Sequence, residues 1–340
     1  MAEHRAAAYM FAVAMVLGVL AAIPAAVQSI GVCYGVNGDG LPSASDVVEL
    51  YKSNGITGMR VYTVNDNTLQ ALSGSNIGLI LDTGNDQLPE LAANATYAAA
   101  WVKANVQSHR RLTIKYIAVG NEVPGQGGNP RDILPAMKNI RNALVRAGLG
   151  GIKVSTAVNS AVTQGFPPSK GIFNASASHM PPIAQYLAST GAPLLANIYP
   201  YFSYKGDTSH ITLDYALFSS TTTVVTDDNG NQYQNLFDAL VDTMYSALES
   251  VGAKTVPIVV SESGWPSAGD GTVATMENAQ MYNQNLINHV EKGTPKRPGD
   301  IETYIFAMFN ENNKNEGEET EKHFGLFNPD QSPAYPIIFV

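Results

Sequence analysis

A single cysteine, Cys33, stands in a chain of 340 residues, so no intramolecular disulfide can form. A chain of this length buries enough apolar surface to fold without such staples. Charge is scarce as well: 14% of residues are Asp, Glu, Lys or Arg, against about 25% in ordinary soluble chains. What charge there is leans acidic, with 29 Asp and Glu against 20 Lys and Arg. No basic cluster is longer than Arg110-Arg111. A nucleic-acid partner is therefore not expected, because polyanion binding needs clustered cations. Six histidines, at positions 4, 109, 179, 210, 289 and 323, show no H-x-x-x-H spacing, and nothing marks a zinc site. G-x-G-x-x-G spacing, a phosphate-binding G-x-x-x-x-G-K-[ST] and a G-x-S-x-G elbow are all missing. No cofactor is called for, and a neutral or polar substrate fits best.

Long apolar runs are missing too, except at one end. Residues 6 to 27 are nearly all apolar, follow Arg5 and are interrupted by Pro24, with the small Ser29 at a plausible cleavage point. A basic start, an apolar middle and a small residue make a secretory leader. An uncleaved anchor would also use about 20 apolar residues. The helix-breaking Pro24 and the lack of basic residues just beyond favour removal. The expected organisation is a leader over 1–29 and one domain over 30–340, exported, monomeric and without a membrane span once the leader is gone. Cys33, in the run IGVCYG, reads as a buried inert thiol. Two sequons, Asn94-Ala-Thr and Asn174-Ala-Ser, acquire meaning only in an exported chain.

Beyond the leader, short apolar runs alternate with helical patterns. The runs are Ile30–Tyr34, Met59–Tyr62, Ile77–Asp82, Ile114–Gly120, Ile152–Ala157, Leu194–Tyr199, Val256–Ser261 and Tyr304–Phe309. They are near-continuously apolar, as strands of a parallel sheet buried on both faces should be. Between them, Leu134, Met137, Ile140 and Leu144 keep three-four spacing up to Gly148, and Leu240, Val241, Met244, Leu248 and Val251 do so up to Gly252. Ala279, Tyr282, Leu286, Ile287 and Val290 form a third set before Gly293. The first helix is expected from LPSASD to Asn54-Gly55. Eight alternations of strand and helix fit a single (β/α)8 barrel of the α/β class, and a doubly wound sheet would want a nucleotide loop that GVNGDG does not provide.

Working residues of such a barrel sit at the C-terminal ends of strands. Besides Asp82 at the end of the third run, three strand ends carry carboxylates to be weighed: Glu122 in GNEVPG, Glu262 in PIVVSESGWPS, and Glu311 after the eighth run. A charge directly behind five apolar residues is costly unless the strand has reached the open mouth. Ends of strands four and seven face each other across the mouth, where two carboxyls could lie the ~5 Å apart that retaining glycoside hydrolysis uses. The plainer reading pairs each with a Lys or Arg at the rim. Tyr34, Tyr62, Tyr199, Tyr201, Phe202, Trp265 and Phe309 fall at or beyond strand ends, where rings can stack on sugars. Glu311, Lys314 and Glu321 lie in a charged loop, FNENNKNEGEETEKHFGLF, whose spacing fits no calcium loop.

In this order, IGVCYG, RVY, GNEV, PLLANIYPYF, VVSESGWPS and ETYIFAMFNEN resemble the plant endo-β-1,3-glucanases of glycoside hydrolase family 17. The resemblance spans about Ile30 to Phe339. It implies a (β/α)8 barrel, secretion to the cell wall, apoplast or vacuole, and retaining hydrolysis of β-1,3-glucan. It also implies Glu122 as proton donor, Glu262 as nucleophile, supporting roles for Glu311, Lys314 and Glu321, and sugar contacts from Asn121 and Tyr199. Lys314 is expected to reach Glu311 or Glu262. TVNDN after RVY and SAVTQGFPPS after the fifth run differ from many grass members, in loops that shape the cleft. Relatives of this kind cut mixed β-1,3-1,4-glucan with the same carboxylates, and a non-catalytic glucan-binding barrel is a third reading. GNDQL after the third run resembles the β-1,3 enzymes more, and that likeness implies β-1,3-glucan as substrate.

Overall fold

A computed structural model describes residues 30–314 and 319–339; the expected leader lies outside them. Eight parallel strands close into one barrel: β1 (Ile30–Tyr34), β2 (Gly58–Val61), β3 (Gly78–Asp82), β4 (Thr113–Asn121), β5 (Lys153–Asn159), β6 (Leu194–Asn197), β7 (Ile258–Ser263) and β8 (Thr303–Ile305). Their spatial order follows the chain, and β1 pairs with β8 to complete the circle. Each of the eight apolar runs is a barrel strand, and the fold is a single (β/α)8 barrel.

Alternation along the strands makes two cores. Inside the barrel, Cys33, Ile80, Ala118, Ala157, Leu195, Val259 and Tyr304 meet, one from each of seven strands. Outward residues such as Val32, Met59, Leu79, Ile117 and Val260 pack against the surrounding helices. The helix over Pro130–Arg146 buries Ile133, Met137, Ile140 and Leu144, and the one over Met276–His289 buries Ala279, Tyr282, Leu286 and Ile287. The first helix runs Ala44–Ser53 with Ser43 accepting from the Asp46 N–H, and Gly55 turns the chain at φ 69°.

The eighth unit departs from the expected alternation. Among the described residues β8 is followed by a short 3-10 turn, Glu319–His323, and by no α-helix. The reason is compositional: the polar run after Phe309 has no three-four apolar stripe to bury. No helix among the described residues is long and apolar enough to cross a membrane.

Local irregularity at two strand ends aims the site. On β7, Val260 pairs with Ala196 of β6, but the next partner of Asn197 is Glu262, so an extra residue is inserted. On β4, Ala118 pairs with Ser155 and Asn121 with Ala157, again one residue over. Such bulges bend a strand and redirect its side chains. Gly120 (φ 84°) and Glu122 (φ 49°) then carry the β4 backbone through the left-handed region. For a glutamate that conformation costs of order 1–3 kcal/mol, a strain typical of working sites.

Candidate active site

A cleft of about 1480 Å³ opens at the C-terminal ends of the strands. Glu122 and Glu262 both line it, as do Tyr62, Asn121, Tyr199, Phe202, Glu311, Lys314 and Glu321. Its floor is organised by a residue within a strand and not beyond its end. Arg60, fully buried on β2, donates from Nη2 to Asp82 Oδ2 at 2.7 Å and to Asn121 Oδ1 at 2.9 Å. Its Nη1 donates to Glu262 Oε1 at 2.8 Å and to Asn197 Oδ1 at 3.1 Å. Burial works against its charge, yet Asp82 and Glu262 are among the groups that hold its pKa well above the usual range.

Glu262 thus has a cation, and two further donors. The hydroxyl of Tyr199 donates to Oε2 at 2.7 Å and that of Tyr62 to Oε1 at 2.9 Å. Glu122 is held differently, by amides alone: Asn197 Nδ2 donates to Oε1 at 2.7 Å and Asn159 Nδ2 to Oε2 at 3.2 Å. Asn197 is itself oriented, because Ser261 Oγ donates to its Oδ1 at 2.8 Å, turning the amide nitrogen toward Glu122. A relay of hydrogen bonds, Glu122–Asn197–Arg60–Glu262, therefore joins carboxylates that stand three strand steps apart.

Burial pushes the Glu262 carboxyl up to about 7 from 4.5. Arg60 pulls it back, the Glu122 charge pushes it further, and the two tyrosine hydroxyls pull it down. The sign for stability follows. The folded state favours protonated Glu262, so its contribution is full below pH 4.5 and is lost as pH rises through 7. Glu262→Gln, whose amide oxygen still accepts from Arg60, should escape that loss. The expected result is a melting temperature above that of the unmodified chain at pH 8, converging with it near pH 4.5. A shift from 4.5 to about 7 sets a ceiling of about 3 kcal/mol on the gain. Equal melting temperatures at pH 8 would show that Glu262 carries no such penalty.

Several expected residues are placed otherwise. Trp265 is fully buried, donates to the Val273 carbonyl at 2.9 Å and packs on Tyr201 and Tyr282. It does not line the cleft, because Tyr201 and Tyr282 pack against its ring and it is wholly enclosed. Phe309 is buried edge-on against Tyr34 and does not line the cleft either. Phe306 and Phe324 stand in the cleft wall instead, and Phe202, 41% exposed, offers the open ring. Tyr62 and Tyr199 line the cleft with their hydroxyls committed to Glu262. Asn121 has its oxygen taken by Arg60 and Asn197. Lys314 pairs with Glu311 at 3.4 Å and lies 3.9 Å over the Phe306 ring, so the cation at Glu262 is Arg60 and not Lys314. Glu311 also accepts from the Asn37 N–H at 2.7 Å. Among the described residues no group of three His, Cys, Asp or Glu could hold a metal ion. Cys33 is buried, and burial pushes its thiol far up.

The model of "Glycosyl hydrolases family 17" matches residues 30–339. A maize protein described as "Glucan endo-1,3-beta-glucosidase, acidic isoform" is 64% identical over the full length of both chains. Barley "Glucan endo-1,3-beta-glucosidase GII" is 58% identical over 98% of each. A solved structure from work on two plant β-glucan endohydrolases with distinct substrate specificities superposes with a TM-score of 0.87 at 51% identity. It covers 91% of this chain and all of that one.

Proposed function

The chain belongs to glycosyl hydrolases family 17 and is a glycoside hydrolase, and on that premise we propose that it is an exported endo-β-1,3-glucanase acting with retention of configuration. The observation that carries this reading is the relay that draws Glu122 and Glu262 into one network at the floor of an open cleft. Its asymmetry supports the division of labour. Three donors, one of them charged, surround Glu262, and only amides touch Glu122. A proton on Glu122 removes one of the two influences that raise Glu262, leaving Arg60 and the two hydroxyls to favour its anion against burial alone.

Chemistry follows from that division of roles. Glu122 protonates the glycosidic oxygen while Glu262 attacks the anomeric carbon, giving a covalent glycosyl–enzyme. Glu122, now a carboxylate, takes a proton from water, which displaces Glu262 and regenerates the site. Arg60 and the tyrosine hydroxyls hold the nucleophile in place, and Phe202 offers its face to a sugar ring. The open cleft suits an internal stretch of polymer, as endo-attack requires. Export follows from the leader over 1–29, with the cell wall or vacuole as destination.

β-1,3-glucan is favoured over mixed-linkage glucan by the relatives named above. The test is release of reducing ends from laminarin and from barley mixed-linkage glucan, run side by side. Release from laminarin alone is expected. Release from the mixed-linkage polymer alone would transfer the assignment to that substrate, and binding to laminarin without release would make the barrel non-catalytic.

A further inference from the structure

Two sequons survive in the described chain, and the fold treats their side-chain nitrogens in opposite ways. Asn94 is exposed and caps the helix over Ala95–Asn105; its Oδ1 accepts from the Thr96 N–H at 2.9 Å and the Tyr97 N–H at 3.1 Å. Both bonds use the oxygen, and Nδ2 has no partner among the described residues. Thr96, the third residue of the sequon, is exposed beside it. Asn174 is half-buried, and its Nδ2 donates to the Ala161 carbonyl at 2.5 Å. Its Oδ1 accepts from the Ala177 N–H at 3.0 Å and the Ser176 hydroxyl at 2.7 Å. Ala161 lines the cleft, so this amide ties a neighbouring loop to the cleft wall.

From these contacts we infer that Asn94 carries an N-linked glycan and Asn174 does not, a reading that rests on the proposed export of the chain. The donor is an oligosaccharide held on a lipid pyrophosphate. Nδ2 forms the bond to its anomeric carbon, the bond from that carbon to the phosphate oxygen breaks, the lipid pyrophosphate leaves, and one Nδ2 proton passes to a base. The amide oxygen is untouched. A glycosylated Asn94 therefore goes on capping its helix, since capping uses only that oxygen. At Asn174 the nitrogen to be modified already donates to the Ala161 carbonyl, and with a sugar attached only its one remaining N–H could keep that bond. The contact that protects Asn174 spans only 13 residues of chain, so its closure needs no distant segment to be in place.

The test is glycopeptide mapping and intact mass, before and after endoglycosidase treatment, of the full chain secreted from a eukaryotic host. Thr96→Ala and Ser176→Ala each remove one sequon and leave its asparagine in place. One glycan per chain is expected, lost in Thr96→Ala and kept in Ser176→Ala. A glycan on Asn174, or a secreted chain bare at Asn94, would overturn the assignment. A chain retained in the cell with residues 1–29 still attached would instead refute export. The two sequons would then be read in a second form, with a heterologous secretory leader placed before Ile30.

Discussion

Glu262→Gln should lower kcat/KM on laminarin by about 10⁴-fold or more, because removing one member of a catalytic unit forfeits most of what the unit does. The effect is chemical rather than structural. A glutamine amide keeps an oxygen for Arg60 and fills the volume of the carboxyl, yet it cannot form the glycosyl ester. The barrel should stay folded, with unchanged circular dichroism and the raised melting temperature at pH 8 expected above. Glu122→Gln should cost less on a substrate with a good leaving group, since protonation there contributes about 10²–10⁴-fold and an aryl glycoside scarcely needs it. Near-normal hydrolysis of laminarin by Glu262→Gln, with the fold intact, would remove Glu262 from the mechanism.

The second large effect is expected at Arg60. Arg60→Met would leave Asp82 and Glu262 buried without their cation, and breaking a buried pair by removing one partner costs about 3–5 kcal/mol. Activity should collapse with it. Arg60→Lys keeps the charge and is the more informative variant if the methionine form fails to fold. One ammonium group cannot reproduce a planar fork that spans Asp82 on one nitrogen and Glu262 on the other. Lysine should therefore fold with reduced stability in urea. The acid limb of its kcat/KM profile should move to higher pH, because one ammonium cannot stay against both Asp82 and Glu262 and so holds the Glu262 carboxyl down less than the guanidinium does. Unaltered stability and an unaltered profile would show that Arg60 only fills space.

Much of this site could be read from sequence, and the rest could not for identifiable reasons. Glu122 and Glu262 were legible because each ends an apolar strand, where an unpaired charge is too costly to be incidental. Arg60, Asn197 and Asn159 were not singled out, although an arginine within the apolar strand GMRV was a visible signal. Their partners lie on other strands, and only the barrel's register brings them together. Position at a strand end told where Trp265 and Phe309 sit along the chain but not which way they turn, and both turn away from the cleft. The bulges on β4 and β7 leave no mark in the apolar pattern, yet they set the direction of both glutamates. The eighth helix was expected and is missing among the described residues; the charged loop after β8, with no apolar stripe, carried the signal against it.

Whether Glu262 forms a covalent glycosyl–enzyme is decided most directly by proton NMR of the anomeric signal of the first product released from laminarin, recorded before mutarotation sets in. Two displacements at the same carbon restore its configuration, so the β anomer should appear first and the α anomer only later, as the solution equilibrates. An α anomer as the first product would mean a single displacement by water, with Glu262 acting as a base rather than a nucleophile.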